Sequence, residues 1–307
     1  MERFLQYLFD GLSIGSVYAL MALGLVIIYR GTGHLNFAQG EMALFSTYVV
    51  YQMGEWGIPI GIALIIGLAV GFLIGAATEV FLVRPVAKKS AFAVFIVTLG
   101  LFQGLNWLDS AIWGDQVLPN SAVSKQQQFP TLFPNKSTDF VRILGAEWRL
   151  KYLGVLLLVL VLTAVMFLVF NKSRAGLAMR AVASNSESAK LVGIRTHQVL
   201  MVSWGLASAI GALGGVVFAG INGTVNLNLM FTVFIYGSAA ATLGGFDSPG
   251  GAVLGGLMIG VIENMAAGYF PDWVGQEMKL GLAFVVIVGV LLVKPSGMFG
   301  TAKVERV

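Results

Sequence analysis

Residues 152–170 read Tyr-Leu-Gly-Val-Leu-Leu-Leu-Val-Leu-Val-Leu-Thr-Ala-Val-Met-Phe-Leu-Val-Phe, with no charge and no proline. As a helix this run covers about 28 Å, close to the roughly 30 Å hydrocarbon core of a bilayer. The chain around it has the same character. Of its 307 residues 57% are hydrophobic and only 11% charged, against about 25% charged in soluble domains. The mean hydropathy is +0.84. So few charges cannot cover a water-exposed surface, which excludes a soluble enzyme, a soluble nucleic-acid binder and a disordered scaffold. The expected fold is all-α, a polytopic transmembrane helical bundle over 1–307 in contact with the lipid bilayer.

Working outward from 152–170, eight further apolar segments stand out, at 5–29, 38–53, 58–83, 91–108, 198–220, 229–244, 251–267 and 277–293. Segments 38–53, 229–244 and 251–267 are short and bounded by Gly-rich or Asn-rich breaks, as expected of half-helices lining a cavity. About eight to ten membrane segments are expected. Asp10 interrupts the first run and no Ala-x-Ala site follows it. It is therefore expected to remain as a membrane helix and not to be removed as a signal peptide.

The distribution of Lys and Arg sets the orientation. The loop 84–89 carries Arg84, Lys88 and Lys89 with no acid, and 171–196 carries Lys172, Arg174, Arg180, Lys190 and Arg195 against Glu187. The tail adds Lys294, Lys303 and Arg306. These three regions are expected to be cytoplasmic. In the stretch from 109 to 150, Asp109, Asp115, Asp139 and Glu147 offset Lys125, Lys136, Arg142 and Arg149, and the loop 268–276 has Asp272 and no base. Both are expected outside, with the N-terminus. The net charge of +4 and pI near 9.3 then reflect inward-facing loops, and no nucleic-acid partner is implied.

Several chemistries lack their residues. There is no cysteine, hence no disulfide, thiolate or Fe–S site. No Gly-Lys dipeptide exists to form a phosphate-binding loop, and no His-Glu-x-x-His occurs. No catalytic or metal site is expected, and His34 and His197 read as interfacial. Three acids fall in apolar segments: Glu41, Glu79 and Glu263. Glu79 is placed to pair with Arg84. Glu41 and Glu263 read either as functional intramembrane acids or as helix-boundary acids. Asn222, Asn226 and Asn228 form a further polar cluster, either candidate pore residues or an ordinary outer turn. Glycines at Gly67/Gly71/Gly75, Gly11/Gly15, Gly211/Gly215, Gly251/Gly255 and Gly256/Gly260 have the small-xxx-small spacing of closely packed membrane helices.

Residues 171–197 are longer than a helix–helix loop needs. They suit a short amphipathic helix outside the bilayer, capped by Ser184 or Asn185 and ended by Gly193, with Leu177, Ala181, Ala189, Leu191 and Val192 as apolar contacts. A helix resting on headgroups and a docking knob for a soluble partner fit these residues equally.

Four segments in order resemble the permease subunits of ATP-binding-cassette (ABC) importers for branched-chain amino acids, the LivH type, a family that also includes urea, amide and simple-sugar importer permeases. They are Gly33-His34-Leu35-Asn36-Phe37-Ala38-Gln39-Gly40-Glu41, Arg84-Pro85 with Thr98-Leu99-Gly100, Leu243-Gly244-Gly245-Phe246-Asp247-Ser248-Pro249-Gly250-Gly251, and Lys294-Pro295-Ser296-Gly297-Met298-Phe299-Gly300. Gln39 stands where the family often has His, and Ser186 near a position where it often has Pro. The resemblance implies that Arg180, Ala181, Asn185, Glu187, Ala189, Gly193 and Ile194 belong to a cytoplasmic loop over 171–197 that engages ATPase subunits. It implies two such ATPases carrying ATP and Mg, with no cofactor in this chain. A second related permease subunit and an extracytoplasmic solute-binding protein docking on 109–151 complete the implied assembly in a bacterial inner membrane. The translocation path is expected around Asn36, Phe37, Gln39, Gly40 and Glu41 and around Gly244, Gly245, Gly250 and Gly251, two breaks in comparable places of the two halves. Import of branched-chain or hydrophobic amino acids is the reading that follows. Urea or short-amide import, and an ion-coupled carrier using Glu41 and Glu263, are the alternatives.

Overall fold

The computed structural model describes residues 2–87, 89–114, 129–136, 138–269 and 278–300. Lys88, Asp115, Lys125, Asp272, Lys303 and Arg306 lie outside the described residues. The elements are α1 (Glu2–Thr32), α2 (Gln39–Glu55), α3 (Ile60–Ala77), a π-helical turn (Thr78–Val83), α4 (Arg84–Ala87), α5 (Ala91–Trp113), β1 (Phe140–Ile143), β2 (Ala146–Arg149), α6 (Leu150–Lys172), α7 (Arg174–Ser184), α8 (Ser186–Leu191), α9 (Thr196–Asn222), α10 (Leu229–Gly244), α11 (Pro249–Tyr269) and α12 (Met278–Val293). Each of the nine apolar segments is a helix. Among the described residues six helices are long and apolar enough to cross a bilayer. One of these is α11, so segment 251–267 is a whole span and not the half-helix expected. Its start explains the extra length. Pro249 takes the first helical position, and the Ser248 hydroxyl accepts from Gly251 N at 3.1 Å.

The exposed surface is apolar in the way lipid demands. Ile65 and Leu73 on α3, Phe92 on α5, and Val161 and Phe167 on α6 all point outward, an arrangement a water-soluble protein avoids. At the centre stand α1 and α9. From Val17 to Ile28, α1 is buried without interruption. The two helices run antiparallel: Gly31 meets Leu200 near one end, and Gly214 meets Leu20 further along.

Two half-bundles surround this pair. Helix α1 packs most extensively on α11, and α9 on α3. Glycine makes both contacts possible. A methyl group added at Gly260 would collide with Gly15 Cα, and one at Gly75 with the Trp204 carbonyl. Helices α1, α2, α3 and α5 therefore correspond in the same order to α9, α10, α11 and α12, and because α1 and α9 run antiparallel the two sets are inverted, as in the repeats of membrane carriers. This changes the expected correspondence of breaks. The turn after α1 matches 223–228 after α9, and Gly245–Ser248 matches the turn between α2 and α3.

Chain direction places the basic residues Arg30, Arg84, Arg180, Arg195 and Lys294 at one end, which the positive-inside rule makes cytoplasmic. At the opposite end the strands β1 and β2 form an antiparallel hairpin. Its turn uses Leu144 at φ 50° and Gly145 at φ 90°, the two left-handed positions a type I′ turn requires. Trp148 of the hairpin stacks on Phe9 of α1 at 4.4 Å. The sequence had put Asp109 in this outer region. The structure instead continues α5 to Trp113 and buries Asp109 within the bundle.

Gly260→Val should lower the melting temperature of the detergent-solubilised protein, because overpacking of this kind costs about 1–3 kcal/mol. Gly104→Val, where a side chain meets open space, should melt within a degree or two of the parent, on the roughly ±0.5 kcal/mol scale of surface changes.

Candidate functional site

At the basic end α7 and α8 form a small helical corner. Ser173 caps α7 by accepting from Gly176 N at 3.0 Å. Gly176 lets α7 fold back onto the last turn of α6, since a side chain there would strike the Val169 and Phe170 carbonyls. The Asn185 side chain, not Ser184, caps α8 by accepting from Ser188 N at 2.9 Å. Gly193, at φ 84°, ends it: Gly193 N donates to the Lys190 carbonyl and Ile194 N to the Ala189 carbonyl, both at 3.0 Å. That is a Schellman closure. Ala189 is buried under α8, Ala181 supplies the carbonyl that receives Asn185 N, and Glu187 pairs with Lys190 at 3.1 Å. Two apolar side chains of the corner face away from the bundle, Leu191 at 89% and Val192 at 76% exposed. Arg180 instead turns inward and donates to Asn171 Oδ1 at 3.0 Å.

The stretch between α1 and α2 turns back into the bundle. Gln39, at the start of α2, packs against Gly24, eight residues short of the end of α1, so α2 begins about 12 Å inside that end. Buried polar groups hold it there. Asn36 donates to Gln39 Oε1 at 3.1 Å and accepts from Ala38 N at 3.1 Å, and Gln39 Nε2 donates to the Ala207 carbonyl at 2.9 Å. Gly40 lets α10 approach, with Met230 O and Phe234 Cβ 3.2 Å from where a side chain would begin. Phe37 meets Phe95 of α5 at 4.9 Å and Phe234 of α10 at 6.1 Å, and Phe102 meets Phe231 at 6.4 Å. A half-exposed phenylalanine face thus runs between α5 and α10.

Behind that face lie two carboxyl groups. Glu41 is 1% exposed and accepts from Asn106 Nδ2 at 3.3 Å. Asp109, fully buried, is close enough for the charge of Glu41 to act on it. Neither Asp109 oxygen, nor the Tyr48 hydroxyl nearby, has a hydrogen-bond partner among the described residues. Asp109 was missed because the segment was ended at 108. The signal present was Asn106, Asp109 and Trp113 recurring on one helical face. Glu263 is held apart from this pair, by Tyr18 Oη at 2.6 Å and by Tyr236. Glu79 pairs with Arg84 as expected. Among the described residues no group of three or more His, Asp or Glu side chains gathers as a metal site would require.

The other expected path residues lie elsewhere. Gly244, Gly245, Gly250 and Gly251 sit at the basic end, in the α10–α11 turn, and not at mid-depth. Gly244 and Gly251 touch backbone to backbone, and the closing segment docks on them through Met298 N to the Leu243 carbonyl (2.7 Å) and Phe299 N to the Gly244 carbonyl (3.1 Å). Asn222, Asn226 and Asn228 lie in the turn after α9, where Asn226 Oδ1 accepts from Asn228 N at 3.0 Å, a local turn role.

A family model described as the permease component of branched-chain amino acid transport systems matches residues 7–291. The chain belongs to this family. It is 29% identical over 313 residues to the high-affinity branched-chain amino acid transport system permease protein LivH of Escherichia coli K12, covering 99% of this chain and 98% of that protein. To the permease protein BraD of Pseudomonas aeruginosa it is 30% identical, again over 99% and 98% of the two chains. Among solved structures, PsaBC from Streptococcus pneumoniae in complex with Fab aligns with TM-score 0.46 and 14% identity, over 95% of this chain and 92% of that one. As a branched-chain permease family member, the chain is a multi-pass membrane subunit of an ABC importer, a class that works with ATPase and binding-protein components.

Asn185→Ala should loosen α8 in this permease. Loss of the cap costs about 1 kcal/mol, so amide exchange at Ser188–Leu191 should speed about fivefold by hydrogen-exchange mass spectrometry, with α1 unchanged.

Proposed function

We propose that this chain forms the translocation path for branched-chain amino acids in an ATP-driven importer, receiving them from an extracytoplasmic binding protein that docks over 109–151. The observation that carries the reading is the end-to-end likeness to the Escherichia coli and Pseudomonas permeases. The interior chemistry fits it. The phenylalanine face around Phe37, Phe95 and Phe234 suits an aliphatic side chain, and Glu41 behind it suits an ammonium group. ATP and Mg belong to the ATPase subunits, and no catalysis is assigned to this chain. Two ATPases seat on the α7–α8 corner through Leu191 and Val192, within the coupling loop 171–197, and a second related permease completes the pore. The site is the bacterial inner membrane.

The test is uptake of labelled leucine, isoleucine, valine and urea by proteoliposomes holding this chain, its partner permease, the ATPases and the binding protein. ATP-dependent uptake of the three amino acids is expected. Leu191→Asp with Val192→Asp should lower it more than tenfold, because charge on a desolvated contact removes on the order of 2 kcal/mol or more. Glu41→Gln should lower leucine uptake severalfold and leave ATPase docking intact. Urea uptake in place of the amino acids, or uptake by this chain alone on a proton or sodium gradient, would sink the proposal.

A further inference from the structure

At the cytoplasmic end a cavity of about 350 Å³ opens between α1, α6, α7 and the α10–α11 turn, within the roughly 300–1,000 Å³ range of small-molecule sites. None of the residues around Glu41 lines it. Its two ends differ in chemistry. One is polar and charged, built from Arg30 of α1, Asn171 at the end of α6, Arg180 of α7, and Asp247 with Ser248 in the turn before α11. The other is apolar, built from Leu23, Met166, Phe167 and Phe170. Phe167 is also one of the outward side chains of α6, beside exposed Leu168 and Val165. The apolar end therefore continues onto surface that meets acyl chains.

Among the described residues lining the cavity the charges do not balance. Arg30 feels both Asp247 and Arg180, and two guanidinium groups against one carboxylate leave one net positive charge in a half-buried cavity. Exposing that charge to hydrocarbon is costly unless an anion meets it. An amino acid zwitterion brings no net charge and a water-filled pore would need no acyl-sized apolar end. The complement is one phosphodiester carried on apolar chains. Basic pockets between helices on the cytoplasmic side take such headgroups, and arginine suits phosphate through its forked donors.

We propose that this cavity binds an anionic phospholipid of the cytoplasmic leaflet, its phosphodiester between Arg30 and Arg180 and its acyl chains along α6. Because Arg180 belongs to α7, the lipid ties the α7–α8 corner to α1, so the corner's position depends on the membrane's anionic lipid. The inference needs only that the chain spans a membrane and is independent of which solute is carried.

The test loads the purified full chain in detergent with equal phosphatidylglycerol and phosphatidylethanolamine and counts retained lipid by native mass spectrometry. Phosphatidylglycerol should be retained in preference. Arg30→Gln and Arg180→Gln should each reduce that retention about fivefold, on the scale of one basic contact to an anionic surface. Asp247→Asn, which removes the opposing charge, should raise it, a gain that misfolding would not produce. Arg174→Gln, an exposed change on the same helix that does not line the cavity, should leave it unchanged. Equal retention of the two lipids, or full retention by the Arg30→Gln Arg180→Gln double variant, would overturn the proposal. Displacement of phosphatidylglycerol by equimolar inorganic phosphate would overturn it in favour of a soluble anion.

Discussion

Between helices in a bilayer there is no water to expel, so association rests on how closely backbones approach. In this chain that approach is concentrated on α1. Gly11 and Gly15 admit the backbone of α11, and Gly24 with Gly211 makes room for the Gln39 amide between α1 and α9. A side chain at either of the last two would lie 2.9 Å from Gln39 Nε2. Gln39 in turn bonds the Ala207 carbonyl and fixes the depth at which α2 begins. The mid-depth break, the phenylalanine face and the burial of Glu41 all follow from glycine on the central pair.

The basic end is tightly connected to the central helices. Helix α7 packs on α6, α1 and α9, so a displacement of the α7–α8 corner reaches both central helices directly. Arg84 adds a second link. It pairs with Glu79 in the π-helical turn and donates to the His197 carbonyl at 3.3 Å at the start of α9. A π turn is a frequent companion of functional sites, and here it swings Glu79 inward to meet that arginine.

Much of this was legible in the sequence because it depends on local rules. The apolar runs marked the nine helical segments, the basic residues Arg30, Arg84, Arg180, Arg195 and Lys294 gather at one end, and Asn185 with Gly193 announced α8. What was not legible depends on neighbours distant in sequence. Asp109 looked like a loop acid until Glu41, Asn106 and Tyr48 were found around it. Gly244 and Gly251 looked like a pore break, yet they serve contact between two backbones and the Lys294–Gly300 segment. Composition says that glycine allows close approach and cannot say what approaches. The inverted repeat was hidden for the same reason, since it is a relation among packed pairs and not among residue strings.

The burial of α1 has a consequence for how the chain is made. It leaves the ribosome before the other described helices, and its main partner, α11, is encoded some 240 residues later. At translation rates of about 5–20 residues per second, α1 waits on the order of ten seconds or more before that partner exists. During the interval its glycine-lined face, made for protein backbone, meets lipid or the insertion machinery instead. Biogenesis therefore has to hold the centre of the bundle open until its last third arrives.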